Sequence, residues 1–256
     1  MFRFIYVRVG ICLAVGFPAA WPVTVALASE PAATPYRPSV SSPAALSSPG
    51  FWELEAGWQR TTGEAGRTGF PLLLKYAFSE DFGVLLGTEA VASQEMPGRH
   101  RRRGLGDSSL TLKWRFPMAD DRAFGLEASA KLPTAADGLG SGRPDYTLNG
   151  IYSVDFAAYH GDINLTYTRL GVAEDGGARE QLGWAAGLSR DIAENWGATV
   201  ELSGQVRHGA RGTAQALFAV SRSVSPTLVL DAGCARQIAG EGSDWSVFLG
   251  GTWLMR

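Results

Sequence analysis

The sequence predicts an all-β chain, a single antiparallel transmembrane β-barrel of about 12 strands of the outer-membrane type. Three observations predict it. Apolar and polar side chains alternate strictly in segments of about ten residues, the length a tilted membrane strand requires, through most of residues 51–256. The connections between those segments alternate long and short. The N-terminus reads as an export signal, which puts the rest of the chain outside the cytoplasm.

The alternation is clearest over residues 104–116, GLGDSSLTLKWRF. Ser108, Leu110, Leu112, Trp114 and Phe116 fall on one face; Asp107, Ser109, Thr111, Lys113 and Arg115 fall on the other. Successive strand side chains point to opposite faces, so this is a strand with one greasy and one charged side. In a membrane barrel the greasy side meets lipid and the charged side meets a lumen.

The other segments follow the same rule. Trp52, Leu54, Ala56 and Trp58 oppose Glu53, Glu55 and Gln59. Phe70, Leu72, Leu74, Tyr76 and Phe78 oppose Lys75. Phe82, Val84, Leu86, Thr88 and Ala90 oppose Glu89. Phe124, Leu126, Ala128, Ala130 and Leu132 oppose Glu127 and Lys131. Tyr146, Leu148, Tyr152 and Val154 oppose Asp145, Thr147, Asn149 and Ser153. Tyr159, Ile163, Leu165 and Tyr167 oppose His160, Asp162, Asn164 and Thr166. Leu182, Trp184, Ala186 and Leu188 share a face, as do Ala214, Ala216, Phe218 and Val220. Trp196, Ala198, Val200 and Leu202 oppose Glu201, Ser203 and Gln205. Leu228, Leu230, Ala232 and Cys234 oppose Asp231, and Trp245, Val247, Leu249 and Trp253 close the series.

Short connections fall near Ser79, Pro117, Asp155, Arg190 and Ser223, and the others are mostly longer. Short periplasmic turns and long extracellular loops are the expected asymmetry of such barrels. A soluble sandwich has no reason to alternate loop length. Aromatic residues, 11% of the chain, sit largely near strand ends on the apolar face, where amphipathic rings favour the headgroup level.

Arg3 and Arg8 precede an apolar run from Val9 that closes with Ala26-Leu27-Ala28. This is the charged, apolar and small-residue order of a signal peptide over residues 1–28. Its removal takes Cys12 with it and leaves Cys234 alone, so no intramolecular disulfide is expected. Residues 29–50 are rich in Pro, Ala and Ser and are expected to be a disordered linker on the periplasmic side. The barrel then occupies residues 51–256. The bacterial outer membrane is the expected location.

Three stretches carry a resemblance. They are GLGDSSLTLKWRF at residues 104–116, AKLPTAADGLGSGRPDYTL at residues 130–148 and LDAGCARQIAGEGSDWSVFLGG at residues 230–251. In that order they resemble the outer-membrane transporter-like proteins grouped as the MetA-pathway of phenol degradation. The resemblance implies a barrel that passes small hydrophobic or aromatic compounds.

The inward set is Glu53, Glu55, Lys75, Glu89, Lys113, Arg115, Glu127, Lys131, Asp145, Asn149, His160, Asp162, Asn164, Glu201, Gln205 and Asp231. Both signs occur. One reading is a solute path; the other is a network that pairs across a narrow lumen and plugs it. Phe248 is the clearest inward aromatic. The expected function is a non-enzymatic pore or transporter-like protein, with a plugged structural barrel as the alternative. A lipid-active enzyme is the less favoured third class. His160 and Asp162 form an i, i+2 pair that a serine from a neighbouring strand would complete as a triad, but no nucleophile signature accompanies them.

No metal-ligand spacing is present and no cofactor is expected. Net charge of −2 gives no nucleic-acid signal. The expected partners are outer-membrane lipid and lipopolysaccharide, the barrel-assembly machinery and a small hydrophobic solute. Arg99, Arg101, Arg102 and Arg103 lie in a loop expected to be extracellular, where guanidinium groups would pair with lipopolysaccharide phosphates.

Overall fold

The alternating segments form strands that pair edge to edge until the sheet closes on itself. The computed structural model describes residues 30–63, 66–95, 101–173, 177–240 and 244–256. The signal-peptide reading therefore lies outside the described residues, as does Arg99. The strands are β1 (Trp52–Thr61), β2 (Arg67–Ala77), β3 (Phe82–Glu95), β4 (Arg101–Gly104), β5 (Ser108–Ala119), β6 (Arg122–Leu132) and β7 (Asp145–Phe156). They continue with β8 (Tyr159–Arg169), β9 (Glu180–Ala193), β10 (Trp196–Arg207), β11 (Thr213–Ser225), β12 (Leu228–Ala239) and β13 (Trp245–Met255). Each neighbour is antiparallel. β1 pairs with both β2 and β13, and the β2–β3 pairing completes the circle. Twelve staves result, β1 to β3 and β5 to β13, with β4 as a short extension of the wall. Closure removes the edges of the twelve staves, so none of them leaves a row of amides and carbonyls facing lipid; β4 pairs with β3 on one side.

Residues 104–116, read as one strand, divide. β3 pairs with β5 from Phe82↔Trp114 to Thr88↔Ser108, and with β4 from Ala92↔Gly104 to Glu95↔Arg101. Between them the Gly106 amide still donates to the Glu89 carbonyl of β3 at 2.9 Å, and the loop 133–144 docks on the other side. The Ala136 amide donates to the Leu105 carbonyl at 2.9 Å, and the Ala135 amide donates to the Asp107 carboxylate at 3.1 Å. Arg101, Arg102 and Arg103 consequently stand on a strand rather than in a loop.

Loop length alternates as expected. Residues 120–121, 157–158, 194–195 and 226–227 are two-residue turns at one end, whereas 133–144 and 170–179 join strands at the other. The wall is inside out relative to a soluble protein. Leu165 is 66% exposed and Leu112 39%, and Leu126 is half-buried, so none is sandwiched between sheets. Aromatic rings run side by side round the short-turn end: Trp52–Tyr76, Tyr76–Phe78, Phe78–Phe82 and Phe82–Trp114 have centroids 4.7–5.7 Å apart. Trp184, Tyr146, Tyr167 and Trp245 mark the opposite rim on the same outer face.

The interior holds what the sequence reading placed elsewhere. Residues 31–50 are not a disordered linker. They belong to the same compact unit as the barrel and run inside it, with Tyr36, Ser41, Ala44 and Ser47 buried. The segment starts and leaves at the short-turn end. The Ala33 amide donates to the Pro226 carbonyl at 2.8 Å, and the Gly50 amide donates to the Ala77 carbonyl at 2.9 Å before β1 begins. Ala44 packs on the inward side chains of Ala123 and Ile151. On the opposite wall Phe248 packs with Leu217, Ala219 and Ala235.

A charge on the outer face tests this architecture. Leu165→Arg should cost about 2–4 kcal/mol, the penalty for arginine at the bilayer midplane. Reversible denaturant unfolding in lipid vesicles measures it; a cost below about 1 kcal/mol, typical of a solvent-facing surface, would contradict the lipid-facing assignment.

Candidate functional site

The inward charges are organised round the N-terminal segment. β1 and β2 hold Glu53, Glu55 and Lys75, all but inaccessible to solvent. Lys75 contacts Glu53 and donates to Glu55 at 2.6 Å. It also donates to the Thr34 carbonyl at 2.6 Å. The two carboxylates accept from the segment's backbone: Thr34 gives its amide to Glu53 at 2.8 Å, and Tyr36 and Arg37 give theirs to Glu55 at 2.7 and 3.0 Å. The Tyr36 ring lies between two ammonium groups, with Lys75 Nζ 3.7 Å and Lys113 Nζ 4.1 Å from its centroid. Cation–π attraction of this kind strengthens when the site is dry. Lys113 donates to Glu127 at 2.9 Å and to the Pro43 carbonyl at 2.5 Å.

Deeper contacts repeat the pattern. Arg37 makes a two-pronged pair with Asp231, with N–O distances of 3.2 and 3.1 Å. Glu201 accepts the Val40 amide at 3.1 Å, the Ser41 amide at 2.8 Å and the Ser41 hydroxyl at 2.7 Å. Asn164 exchanges hydrogen bonds with both the amide and the carbonyl of Ser42, and Ser153 accepts the Ala44 amide. A carboxylate removed from water needs donors, and here backbone amides of residues 34–41 supply them. The inward network was legible; its partner was not. It pairs chiefly with the segment and along the wall rather than across an empty lumen.

The other inward residues lie away from the segment. Glu89 is held by Arg67. Lys131 bridges Asp107 at 3.3 Å and Asp145 at 2.8 Å. Gln205 accepts from Gln181 at 2.8 Å. Arg115 is not a lumen group: it stands at the short-turn mouth, 3.4 Å from Asp81, because Trp114 pairs with the first residue of β3 and the Arg115 amide donates to the Asp81 carbonyl in the turn before it. Arg101 pairs with Glu95 at 2.8 Å and Arg102 donates to the Asp137 carbonyl at 3.0 Å.

Comparison with solved structures agrees with this geometry. The fold is that of outer-membrane barrels. The chain aligns with an outer membrane channel from Pseudomonas putida F1 at a TM-score of 0.66 and 13% identity, over 81% of this chain and 96% of that one. It aligns with the NanC porin at 0.59 and 8% identity, over 78% and 98%, and with the KdgM porin at 0.52 and 9% identity, over 78% and 98%. No protein-family model matches the chain, and no curated protein does. At these identities the likeness is one of fold.

The enzymatic arrangement does not assemble. Ser153 is the serine that reaches the His160–Asp162 pair, but it donates to Asp162 rather than meeting the imidazole. The two nitrogens of His160 face Asp155 at 2.6 Å and Asp162 at 3.2 Å. A nucleophile needs the base itself in hydrogen-bond reach. The cluster also faces inward, away from the outer apolar surface.

Among the described residues three cavities lie beyond the segment, the third of about 400 Å³ beside Arg67, Glu89 and Asp107. One of about 470 Å³ is lined by side chains of β7 to β12 with Val40 at its floor. Another of about 440 Å³ continues from it past Gln181, Gln205, Thr213 and Gln237 towards Arg207 and Arg211.

Two substitutions test the docking. Glu201→Ala removes the acceptor of residues 40 and 41; with charge-assisted bonds worth about 1.5–3 kcal/mol, exchange of those two amides should quicken roughly 10- to 150-fold, read by hydrogen-exchange mass spectrometry against an unchanged barrel. Lys75→Met leaves Glu53 and Glu55 without their shared cation and should cost about 3–5 kcal/mol of unfolding free energy; stability within about 1 kcal/mol of the parent would show that water reaches the pair.

Proposed function

We propose that the protein is an outer-membrane channel for small solutes whose periplasmic half is closed by its own N-terminal segment. The observation that carries this is a polar, cavity-bearing interior enclosed by an apolar outer wall, with residues 31–50 standing in the only part of that interior they reach from the short-turn end. The fold shared with an outer membrane channel and two porins supports the reading. Lipid and lipopolysaccharide surround the barrel in this proposal, with Arg101, Arg102 and Arg103 towards the lipopolysaccharide, and assembly runs through the barrel-assembly machinery.

The resemblance to phenol-degradation barrels adds hydrophobic or aromatic solutes as a cargo class. The inner wall offers such a solute little, since Phe248 is engaged with Leu217, Ala219 and Ala235. A second reading, a barrel closed for structural reasons alone, is favoured by the density of bonds between segment and wall.

Single-channel recording in planar bilayers separates the two. The parent should show rare or small openings. Deletion of residues 31–50 should give a steady conductance, in protein first shown to be folded by its heat-modifiable migration on gels. Ser41→Cys/Glu201→Cys, oxidised, should hold the parent shut and release it on reduction. A folded deletion variant that passes no ions would select the structural barrel.

A further inference from the structure

The cavity above the segment differs in kind from the rest of the lumen. Its lining carries no charged side chain, although charges crowd the wall below it and Arg207 and Arg211 stand above it. What lines it instead are amides and hydroxyls: Asn149, Thr166, Gln181, Ser203, Gln205 and Gln215. They come from neighbouring staves β7 to β11 and face inward at matching heights. Gln215 donates to Ser203 at 3.2 Å across the β10–β11 pair, and Gln181 donates to Gln205 at 2.8 Å across the β9–β10 pair. Val40, the tip of the segment, is 55% exposed and presents the floor with a single aliphatic face.

One lining group lacks a partner. Asn149 is only 7% exposed. Its amide nitrogen donates to Glu127 at 3.0 Å and to the Asn164 oxygen at 3.1 Å. Both of those are acceptors, and the Asn164 oxygen is itself fixed because it accepts the Ser42 amide. The orientation of Asn149 is therefore forced, and its oxygen is left as a buried acceptor with no hydrogen-bond partner among the described residues. That oxygen is sealed from water, so it marks a buried polar wall rather than a contact point for a solute in the cavity.

From this we infer that the cavity is a binding site for a small uncharged solute bearing several hydroxyl groups, of monosaccharide size, approaching from the long-loop side. An ionised solute would meet no counter-charge there and would lose hydration. A purely apolar solute would leave the lining amides and hydroxyls facing it unpaired. A polyol supplies donors and acceptors in rapid alternation, which carboxamides match with both of their ends, while its C–H face rests on Val40. A volume of about 470 Å³ is within the roughly 300–1,000 Å³ of small-molecule sites. The inference names the solute class of the channel proposed above and rests on that reading for its biological meaning, but not for the binding itself.

Isothermal titration of the full-length protein in detergent tests binding without requiring permeation, so a failed conductance experiment leaves this result independent. The probes are glucose, glucuronate and phenol. Glucose should bind saturably in the millimolar range, at least about tenfold more tightly than either other probe, a margin of about one well-formed hydrogen bond to a polar partner. Gln181→Leu/Gln205→Leu should weaken glucose about tenfold or more while keeping the heat-modifiable band. Glucuronate or phenol matching or exceeding glucose, absent binding of all three, or a folded double variant with parental affinity would each overturn the assignment.

Discussion

A carboxylate sealed from water must find donors, and this barrel seals several on its inner wall. Everything about the N-terminal segment follows from that requirement. Glu53, Glu55, Glu201 and Asp231 are buried at positions set by strand alternation. The lysines and arginine nearby satisfy part of the demand. The rest is met by main-chain amides of residues 34–41, which in turn have no secondary structure to occupy them. Wall and segment each complete what the other leaves unpaired.

This division explains why the segment needs no apolar surface to hold its place. Prolines at 31, 35, 38, 43 and 49 remove five amide donors and keep it from forming a ladder of its own, so it doubles back on a few bonds only, such as that from the Tyr36 hydroxyl to the Ala45 carbonyl at 2.7 Å. Its remaining amides then point outward to the wall. Buried ion pairs add little net stability over apolar packing, but they impose geometry: Arg37 can meet Asp231, and Tyr36 can lie between Lys75 and Lys113, in one register only. The lumen is thereby parted into a half occupied by the segment and a half beyond it, where a neutral amide-lined cavity beside β7 to β12 stands apart from the Arg67–Glu89 and Lys131–Asp145 pairs.

Much of the wall was legible. A period of two with greasy residues such as Leu112 and Leu165 opposite polar residues such as Lys113 and Asn164 has one stable solution once lipid is the outer solvent. The two-residue turns announced themselves as short gaps between periodic runs. Legibility failed where side chains do not carry the interaction. Residues 31–50 look like a solvated linker because composition reports hydrophobic burial, whereas this segment is bound through its backbone. The break at residues 105–107 was invisible because the bonds that Leu105 and Asp107 accept there come from a loop some thirty positions away. Arg115 shares the parity of Lys113, and only its pairing with the turn before β3 places it at the mouth.

The sequence by itself determined the barrel: its strand number, the side each residue faces, and the end at which its long loops gather. These are local consequences of pleat, alternation and turn length, and each can be read without knowing any distant contact. The tertiary structure decided what fills the barrel. Whether a lumenal glutamate meets water, an ion or a main-chain amide depends on which distant residues are brought within about 3 Å, a hydrogen-bonding distance, and amide donors carry no residue-specific mark by which a sequence could disclose the match.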